Sequence, residues 1–258
     1  MKRLVVSALL VVLVGAAAAA LRAEEPKRIR VLLTYGGHGF EEKPFFKVFD
    51  DLAKFPCGGA RYSVTYAKAE MPKDARLLKP GLEKQYDVLV MYDMVNNIKP
   101  EEQEAFRADF KALLNQGIGV VSLHHNLGAH STWDEFPKII GGKFILKKCV
   151  IDGKEYNPSG WKHDEHLKIQ VVDKAHPITQ GIGDFEILDE TYKGYYVAPG
   201  VHVLLKTDHP NNTPELAWTN QYGKSRVFYL MLGHDHHGYE NPNFVRLVRQ
   251  GIVWAAGK

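Results

Sequence analysis

The stretch VFYLMLGHDHHG, residues 227–238, decides how the rest of the sequence is interpreted. Its first six residues are apolar, which predicts a short strand buried on both faces. A glycine ends this run, and His234, Asp235, His236 and His237 follow it directly. Open α/β sheets bind their ligands just beyond the carboxyl ends of the strands. Imidazole and carboxylate groups at this point therefore predict a functional site that other strand ends complete.

The apolar runs upstream predict the sheet to which this stretch belongs. In the first half of the chain, strands are predicted at 28–34, 62–66, 86–92 and 119–123. Pro44 and Pro100 each begin a segment with helical spacing of apolar residues, a position that suits proline. Strands that alternate with helices in this way are typical of a doubly wound parallel sheet, so the sequence predicts an α/β fold.

The second half of the chain predicts further short strands. They are expected at 167–172, 185–188, 201–205 and 216–219. The polar, glycine-containing segment 149–162 predicts a long loop. Asn241 followed by Pro242 predicts the start of an amphipathic helix that ends the chain.

Residues 1–23 have the composition of a secretory signal. Lys2 and Arg3 precede an apolar segment at 4–20, and small residues follow. The segment is too short for a stable membrane span, so we expect cleavage and export to the periplasm or the extracellular space, with no membrane partner afterwards. Residues 24–258 are then expected to form a single domain, which is long enough for an adequate core.

The charge balance argues against a nucleic-acid partner. The full sequence has 33 Lys+Arg against 30 Asp+Glu, and the predicted leader contains three of those cations. A mature chain this close to neutral lacks the basic surface that neutralises phosphates. Two cysteines, Cys57 and Cys149, permit one disulfide in an oxidising compartment, but their spacing does not establish it.

Chemically active side chains follow several predicted strands. His38 lies in a glycine-rich loop after the first strand, His124 and His125 follow the fourth, and Glu190 follows a later one. Because the first and fourth strands of a parallel sheet end at the same edge, we expect these groups to share one pocket with His234. Two or three imidazoles with a carboxylate are typical ligands of a transition metal, with zinc the default in an exported protein. Without a metal, the same groups could form a general acid/base site.

Other motifs narrow the range of functions. The loop GGHG at 36–39 matches neither the dinucleotide fingerprint nor the P-loop, so no nucleotide cofactor is predicted. The sequence has no G-x-S-x-G elbow, which argues against a hydrolase serine. His163 and His166 lie in a charge-rich segment and are predicted to face solvent.

Several motifs, in order along the chain, resemble the trehalose-utilisation ThuA-like family. They are LTYGGH (33–38), SLHH (122–125), IIGGKF (139–144), HPI (176–178), DETY (189–192), PELAWT (214–219), GHD (233–235) and NPNF (241–244). The resemblance extends over residues 29–257. It implies a class I glutamine amidotransferase-like fold, which is a three-layer α/β/α sandwich around a mostly parallel, flavodoxin-like sheet.

The sequence departs from true glutamine amidotransferases at the nucleophile. Those enzymes have a cysteine on the turn that matches LHHN at 123–126. Without that thiol no glutamyl thioester can form, so release of ammonia from glutamine by this route is excluded. The resemblance links the family to sugar metabolism, so the expected partner is a small-molecule carbohydrate.

We therefore expect an exported hydrolase, lyase or isomerase that acts on a sugar, a glycoside or a keto-sugar derivative. His38, His125 and His234 are the expected metal ligands. His125, Glu190 and His234 are the expected catalytic groups, and Asp235 is expected to orient a histidine. The residues expected to contact the substrate are His124, Trp133, Tyr192, Trp218 and His236.

Two alternatives stay open at this level. A non-catalytic carbohydrate-binding or scaffold module on a decayed amidotransferase fold fits the same residues, because fold analogy does not establish catalysis. A metal-free acid/base isomerase or lyase also fits them, because histidine titrates near neutral pH. The sequence is equally compatible with a monomer and a homo-oligomer.

Overall fold

The computed structural model describes residues 26–54 and 62–258. The predicted leader at 1–23 lies outside these residues. Cys57 also lies outside them, and with it the question of whether it pairs with Cys149.

The described chain is built from strands and helices that alternate in its first half. In chain order the strands are β1 (Lys27–Gly36), β2 (Tyr62–Glu70), β3 (Val88–Asp93), β4 (Gly119–Leu123), β5 (Gly142–Lys143), β6 (Cys149–Ile151), β7 (Lys154–Tyr156), β8 (Gly160–Val171), β9 (Phe185–Lys193), β10 (Tyr196–Val197), β11 (His202–Lys206), β12 (Glu215–Tyr222) and β13 (Ser225–Leu230). The helices are α1 (Glu42–Lys54), α2 (Pro100–Gln116), α3 (Phe136–Ile140), α4 (His236–Tyr239) and α5 (Pro242–Ala255). Short 3-10 turns span Ala75–Leu77, Leu82–Lys84 and His124–Gly128.

Local sequence explains where α2 begins and ends and where α5 begins. Pro100 occupies the first turn of α2, and Gly117 ends that helix in the left-handed conformation at φ 96°. Asn241 caps α5, since its side chain accepts a hydrogen bond from the backbone N–H of Asn243. None of the described helices is both long enough and apolar enough to span a membrane.

Five parallel strands form one half of a nine-stranded sheet. Their order is β2-β1-β3-β4-β13, which is the order of a flavodoxin-like sheet. The connections through α1 and α2 run in opposite directions along the sheet, so right-handed crossovers place these helices on opposite faces. The predicted α/β fold class and three-layer sandwich are therefore confirmed, and the stretch at 227–238 supplies the fifth parallel strand.

The other half of the sheet is antiparallel. β12, β11, β8 and β9 follow β13 in that order. Only Gln170 and Val171 of β8 pair with β11, whereas the rest of β8 pairs with β9 alone. The β8–β9 pair is therefore a two-stranded arm, and it reaches the carboxyl end of the parallel half.

The sequence-based boundaries were wrong along this arm. The predicted loop at 149–162 contains the β6–β7 hairpin and the start of β8, and β9 continues five residues beyond the predicted end at 188. Residues 160–165 are nearly all exposed, so they lack the apolar alternation that marks a strand with a buried face.

A β-bulge bends the arm beside the candidate site. Lys162 pairs with Thr191 and Glu165 pairs with Asp189, so two residues of β8 stand opposite Glu190 alone. Asp164 takes up the extra length with a φ of 56°. The bulge sets the direction in which the residue before Asp164 points, and that residue is His163.

A buried histidine that packs against α2 makes folding sensitive to acid. His130 is surrounded by aromatic rings, and its Nε2 has no hydrogen-bond partner within the described residues. Burial, aided by the charge of Arg107, lowers the pKa of His130 from 6.5 to about 3. Below pH 6.5 His130 therefore binds a proton in the unfolded chain but not in the folded chain, and the free energy of unfolding falls as the pH falls.

Replacing His130 by phenylalanine is expected to remove this acid sensitivity. Between pH 7 and pH 5 the wild-type free energy of unfolding should fall about 2 kcal/mol further than that of His130→Phe. Urea titrations of each protein at the two pH values measure this difference. Because each protein is compared with itself, any effect of the substitution on packing that does not depend on pH is removed. His166→Phe, at an exposed histidine of β8, should keep the wild-type pH dependence. Equal pH dependence in wild type and His130→Phe would contradict the expectation.

Candidate functional site

A cavity of about 250 Å³ opens where the carboxyl ends of the parallel strands meet the arm. Its walls combine imidazoles, aromatic rings and one carboxylate. The lining residues are His38, Met94, His125, Gly128, Phe144, Leu146, Trp161, His163, Glu190, Tyr192 and His234. The structure thus brings His38, His125, Glu190 and His234 to one cleft, although they come from four separate segments.

Three atoms that could each coordinate a metal ion form a compact triangle at the buried end of this cavity. His124 Nε2 lies 3.0 Å from Glu190 Oε2 and 3.2 Å from His234 Nδ1. The third edge, from His234 Nδ1 to Glu190 Oε2, is also 3.2 Å. His124 is fully buried and Glu190 nearly so, so little water reaches these atoms.

The position of His124 fixes which of its nitrogens faces the triangle. The residue follows β4 directly and adopts a φ of 47°. Its Nδ1 lies 2.6 Å from the carbonyl oxygen of Met231, and a carbonyl can only accept, so Nδ1 carries the proton and donates it. In the neutral ring Nε2 is then left with a lone pair. That lone pair faces Glu190, while the Tyr192 hydroxyl lies 2.9 Å from the same nitrogen.

The electrostatics of the triangle favour a positive charge at its centre. Burial alone would raise the pKa of Glu190, but hydrogen bonds from protonated His124 and His234, and the positive charge of these rings, hold it well below its usual value. Burial opposes protonation of His234, yet Glu190, Asp189 and Asp235 together raise the pKa of His234. Glu190 is therefore an anion at neutral pH, and a proton or a metal ion between these groups would balance it.

Asp189 supports the triangle from the opposite face of β9. Its carboxylate accepts hydrogen bonds from the backbone N–H groups of Glu190 at 2.8 Å, Gly233 at 2.7 Å and His234 at 3.0 Å. Burial raises the pKa of Asp189, so these bonds do not fully offset the loss of water. The carboxylate joins the arm to the loop after β13 and thereby sets the position of His234.

Asp235 does not have the position that we expected for a residue that orients a site histidine. Its side chain caps the short helix α4 and accepts a hydrogen bond from the backbone N–H of His237. It also lies 3.3 Å from His237 Nδ1. The carboxylate that holds the His234 backbone is Asp189, which precedes Glu190 in the sequence.

The structure places His124, and not His125, in the triangle. His125 turns toward β3, where its Nε2 lies 3.4 Å from the carbonyl oxygen of Tyr92 and its ring packs on Tyr92. Burial and the neighbouring His124 and His38 hold the pKa of His125 well below its usual value, so the ring is neutral. His38 stacks on His125 at 4.8 Å, and its Nδ1 contacts the carbonyl of Gly39. Of the expected metal ligands, only His234 belongs to the triangle.

The expected aromatic sugar surface is also differently placed. Trp218 is fully buried, donates to the carbonyl of Ile140 and packs on Tyr229. Trp133 lies in the core, where its ring packs against those of Phe110 and Phe136. Both side chains are large and apolar, so the core takes them. Tyr192 does line the cavity, whereas His236 pairs with Glu41 outside the lining residues.

Six of the lining residues were not predicted to belong to the site, and two of them, Trp161 and His163, carry rings that can contact a ligand. His163 is 45% exposed, in line with the prediction that it faces solvent, but its Nδ1 also lies 3.4 Å from Glu190 Oε1 and its ring lies 4.5 Å from that of His234. Trp161 lines the mouth of the same cavity. The two are separated by one residue on β8 and face Tyr192 and Glu190 across the arm. This period of two was the available signal, and the surrounding charges obscured it.

Comparison with known proteins gives a consistent result. The ThuA family model, described as trehalose utilisation, matches residues 30–255. A ThuA-like protein from Parabacteroides merdae has a TM-score of 0.68 at 22% identity, covering 90% of this chain and 91% of its own. A ThuA-like protein from Bacteroides uniformis has a TM-score of 0.64 at 20% identity, covering 90% and 93%.

A more distant likeness is to a protein described as cytoplasmic from Salmonella typhimurium. It has a TM-score of 0.54 at 14% identity and covers 87% of this chain and 98% of its own. At these identities the solved structures show the shared fold alone. A search of curated proteins found no match.

Proposed function

Because the chain belongs to the ThuA family of trehalose utilisation, we propose that it is a carbohydrate-processing enzyme that uses a divalent cation, with zinc as the first candidate. Its substrate would be a sugar, a glycoside or a keto-sugar derivative. The same proposal includes export, which is based on the signal-like composition of residues 1–23. The mass of the mature protein recovered from its host tests the expected cleavage.

The triangle of His124, Glu190 and His234 is the observation that carries this proposal. Its edges of 3.0 to 3.2 Å fall close to the ligand separations of a cation bound at about 2.1 Å, which are roughly 3.0 Å in an octahedral site and 3.4 Å in a tetrahedral one. Two imidazoles and one carboxylate suit zinc, and three protein ligands leave a position open for substrate. The bond from His124 Nδ1 to a backbone carbonyl fixes the tautomer, as is usual for metal-binding histidines.

The surrounding residues assign roles to the rest of the cavity. A bound cation would supply Lewis-acid polarisation of a sugar oxygen. Burial keeps the ring of His125 neutral, so it can form a hydrogen bond with a substrate hydroxyl, while its lowered pKa makes it a weak base. The lining residues include no lysine or arginine, which disfavours a phosphorylated sugar and favours a neutral one. These roles suit hydrolysis, elimination or isomerisation, and the missing amidotransferase cysteine excludes the glutamine reaction.

Metal binding by two adjacent histidine variants tests this proposal. Purified wild-type protein is expected to bind one zinc per chain, and His124→Ala should weaken that binding about a hundredfold. His125→Ala removes the neighbouring imidazole outside the triangle and should keep the wild-type zinc affinity. Titration against a competing chelator gives both affinities.

Activity on candidate sugars and keto-sugars completes the test. Turnover should stop after chelation and return when zinc or manganese is restored. Turnover that persists without metal would overturn metal dependence and favour the acid/base alternative. Sugar binding with neither metal nor turnover would favour the non-catalytic module.

A further inference from the structure

Trp161 combines two properties that rarely occur together away from a binding site. Its side chain is 57% exposed, and it lines the same cavity as Glu190 and His234 of the triangle. Leu146, 40% exposed, lines the same mouth. Exposed large apolar side chains that adjoin a concave site mark a surface that a ligand covers.

The distance between Trp161 and the triangle sets the size of that ligand. The indole ring lies 4.8 Å from the ring of His163, which lies 4.5 Å from the ring of His234. Trp161 is thus two ring contacts from the nearest triangle ligand. A sugar ring that occupies the space over the triangle would place a second, linked ring against the indole.

The side chains at the entrance of the cavity favour a neutral sugar ring as the ligand. A pyranose presents C–H groups on its faces and hydroxyls around its rim, so it can cover an indole while its hydroxyls stay hydrated. Phe144 and Leu146 extend the apolar surface, and no cation among the lining residues attracts an anionic substituent. We propose that Trp161 forms a second sugar subsite, and that the substrate is a neutral glycoside of at least two rings. This inference rests on the proposed carbohydrate function.

Calorimetric titration with trehalose and glucose tests the subsite. The wild-type protein should bind trehalose more tightly than glucose. Trp161→Ala should weaken trehalose binding about tenfold and leave glucose binding unchanged, because only the outer ring loses its contact. Trp161→Phe, which keeps a smaller aromatic face, should restore part of the preference. Trp254→Ala removes a tryptophan that packs against Arg226 outside the lining residues, and it should retain the wild-type preference.

Three outcomes would overturn the subsite: no preference for trehalose in the wild type, no binding of either sugar, or an unchanged preference in Trp161→Ala. Zinc content, measured on the same samples, separates this failure from failure of the metal proposal. If the chain binds no zinc but shows a Trp161-dependent preference, the subsite proposal stands and the metal proposal fails. If the chain binds one zinc but shows no such preference, the metal proposal stands and the subsite proposal fails.

Discussion

Glu190→Gln is expected to weaken zinc binding about a thousandfold, or roughly 4 kcal/mol, while the chain stays folded. Glu190 is the only anion among the three donor atoms, and its pKa is held well below the usual value, so it is ionised at neutral pH. Glutamine has nearly the same shape, but it is uncharged, and an NH₂ group that cannot bind a cation replaces one of the two carboxylate oxygens. The imidazoles of His124 and His234 would then have to hold the cation without a counter-charge.

Glu165→Gln provides a matched control on the same arm. Glu165 pairs with His209 at 3.1 Å and with the side chain of Asn211, and it does not line the cavity. Competition titrations with a zinc-binding dye should therefore find wild-type affinity in this variant. An equal loss in both variants, or none in Glu190→Gln, would show that the triangle does not bind the ion.

The parallel half of the fold could be predicted because its inner strands are covered on both faces. Such strands, β3 and β4 among them, are continuous apolar runs, and proline marks the start of α2. The arm could not be predicted in the same way. The first half of β8 is exposed to solvent except where it borders the cavity, so its residues carry no apolar pattern.

The site was only partly predictable for a related reason. Strand ends indicated where imidazoles would gather, but not which member of the pair His124 and His125 would face inward. That choice depends on the left-handed backbone of His124 and on its bond to the Met231 carbonyl, and both come from tertiary structure. Similarly, His163 reaches Glu190 because of a bulge that pairing between β8 and β9 creates.

Asp189→Ala is expected to lower the free energy of unfolding by about 3 kcal/mol and to weaken zinc binding at least tenfold. The substitution leaves three backbone N–H groups, from Glu190, Gly233 and His234, without their acceptor. Each such group loses free energy when it is buried without a partner. Release of the charged carboxylate from its buried position offsets part of this loss, because burial has already raised the pKa of Asp189. The net effect is therefore smaller than three lost hydrogen bonds would suggest.

Asp189→Asn separates the two parts of this effect. The amide keeps the size of the side chain and removes the buried charge, but its single oxygen must serve three donors and its NH₂ group meets an N–H. We expect a stability loss of about 2 kcal/mol, smaller than for alanine, with a similar loss of zinc affinity because His234 is released in both variants. Asp208→Asn, at an exposed carboxylate, should change neither quantity. Wild-type zinc affinity in a destabilised Asp189→Ala would mean that Asp189 holds the arm to the sheet without positioning His234. Loss of affinity in both Asp189 variants would mean that the carboxylate places the ligand, since the two substitutions share only the removal of that anchor.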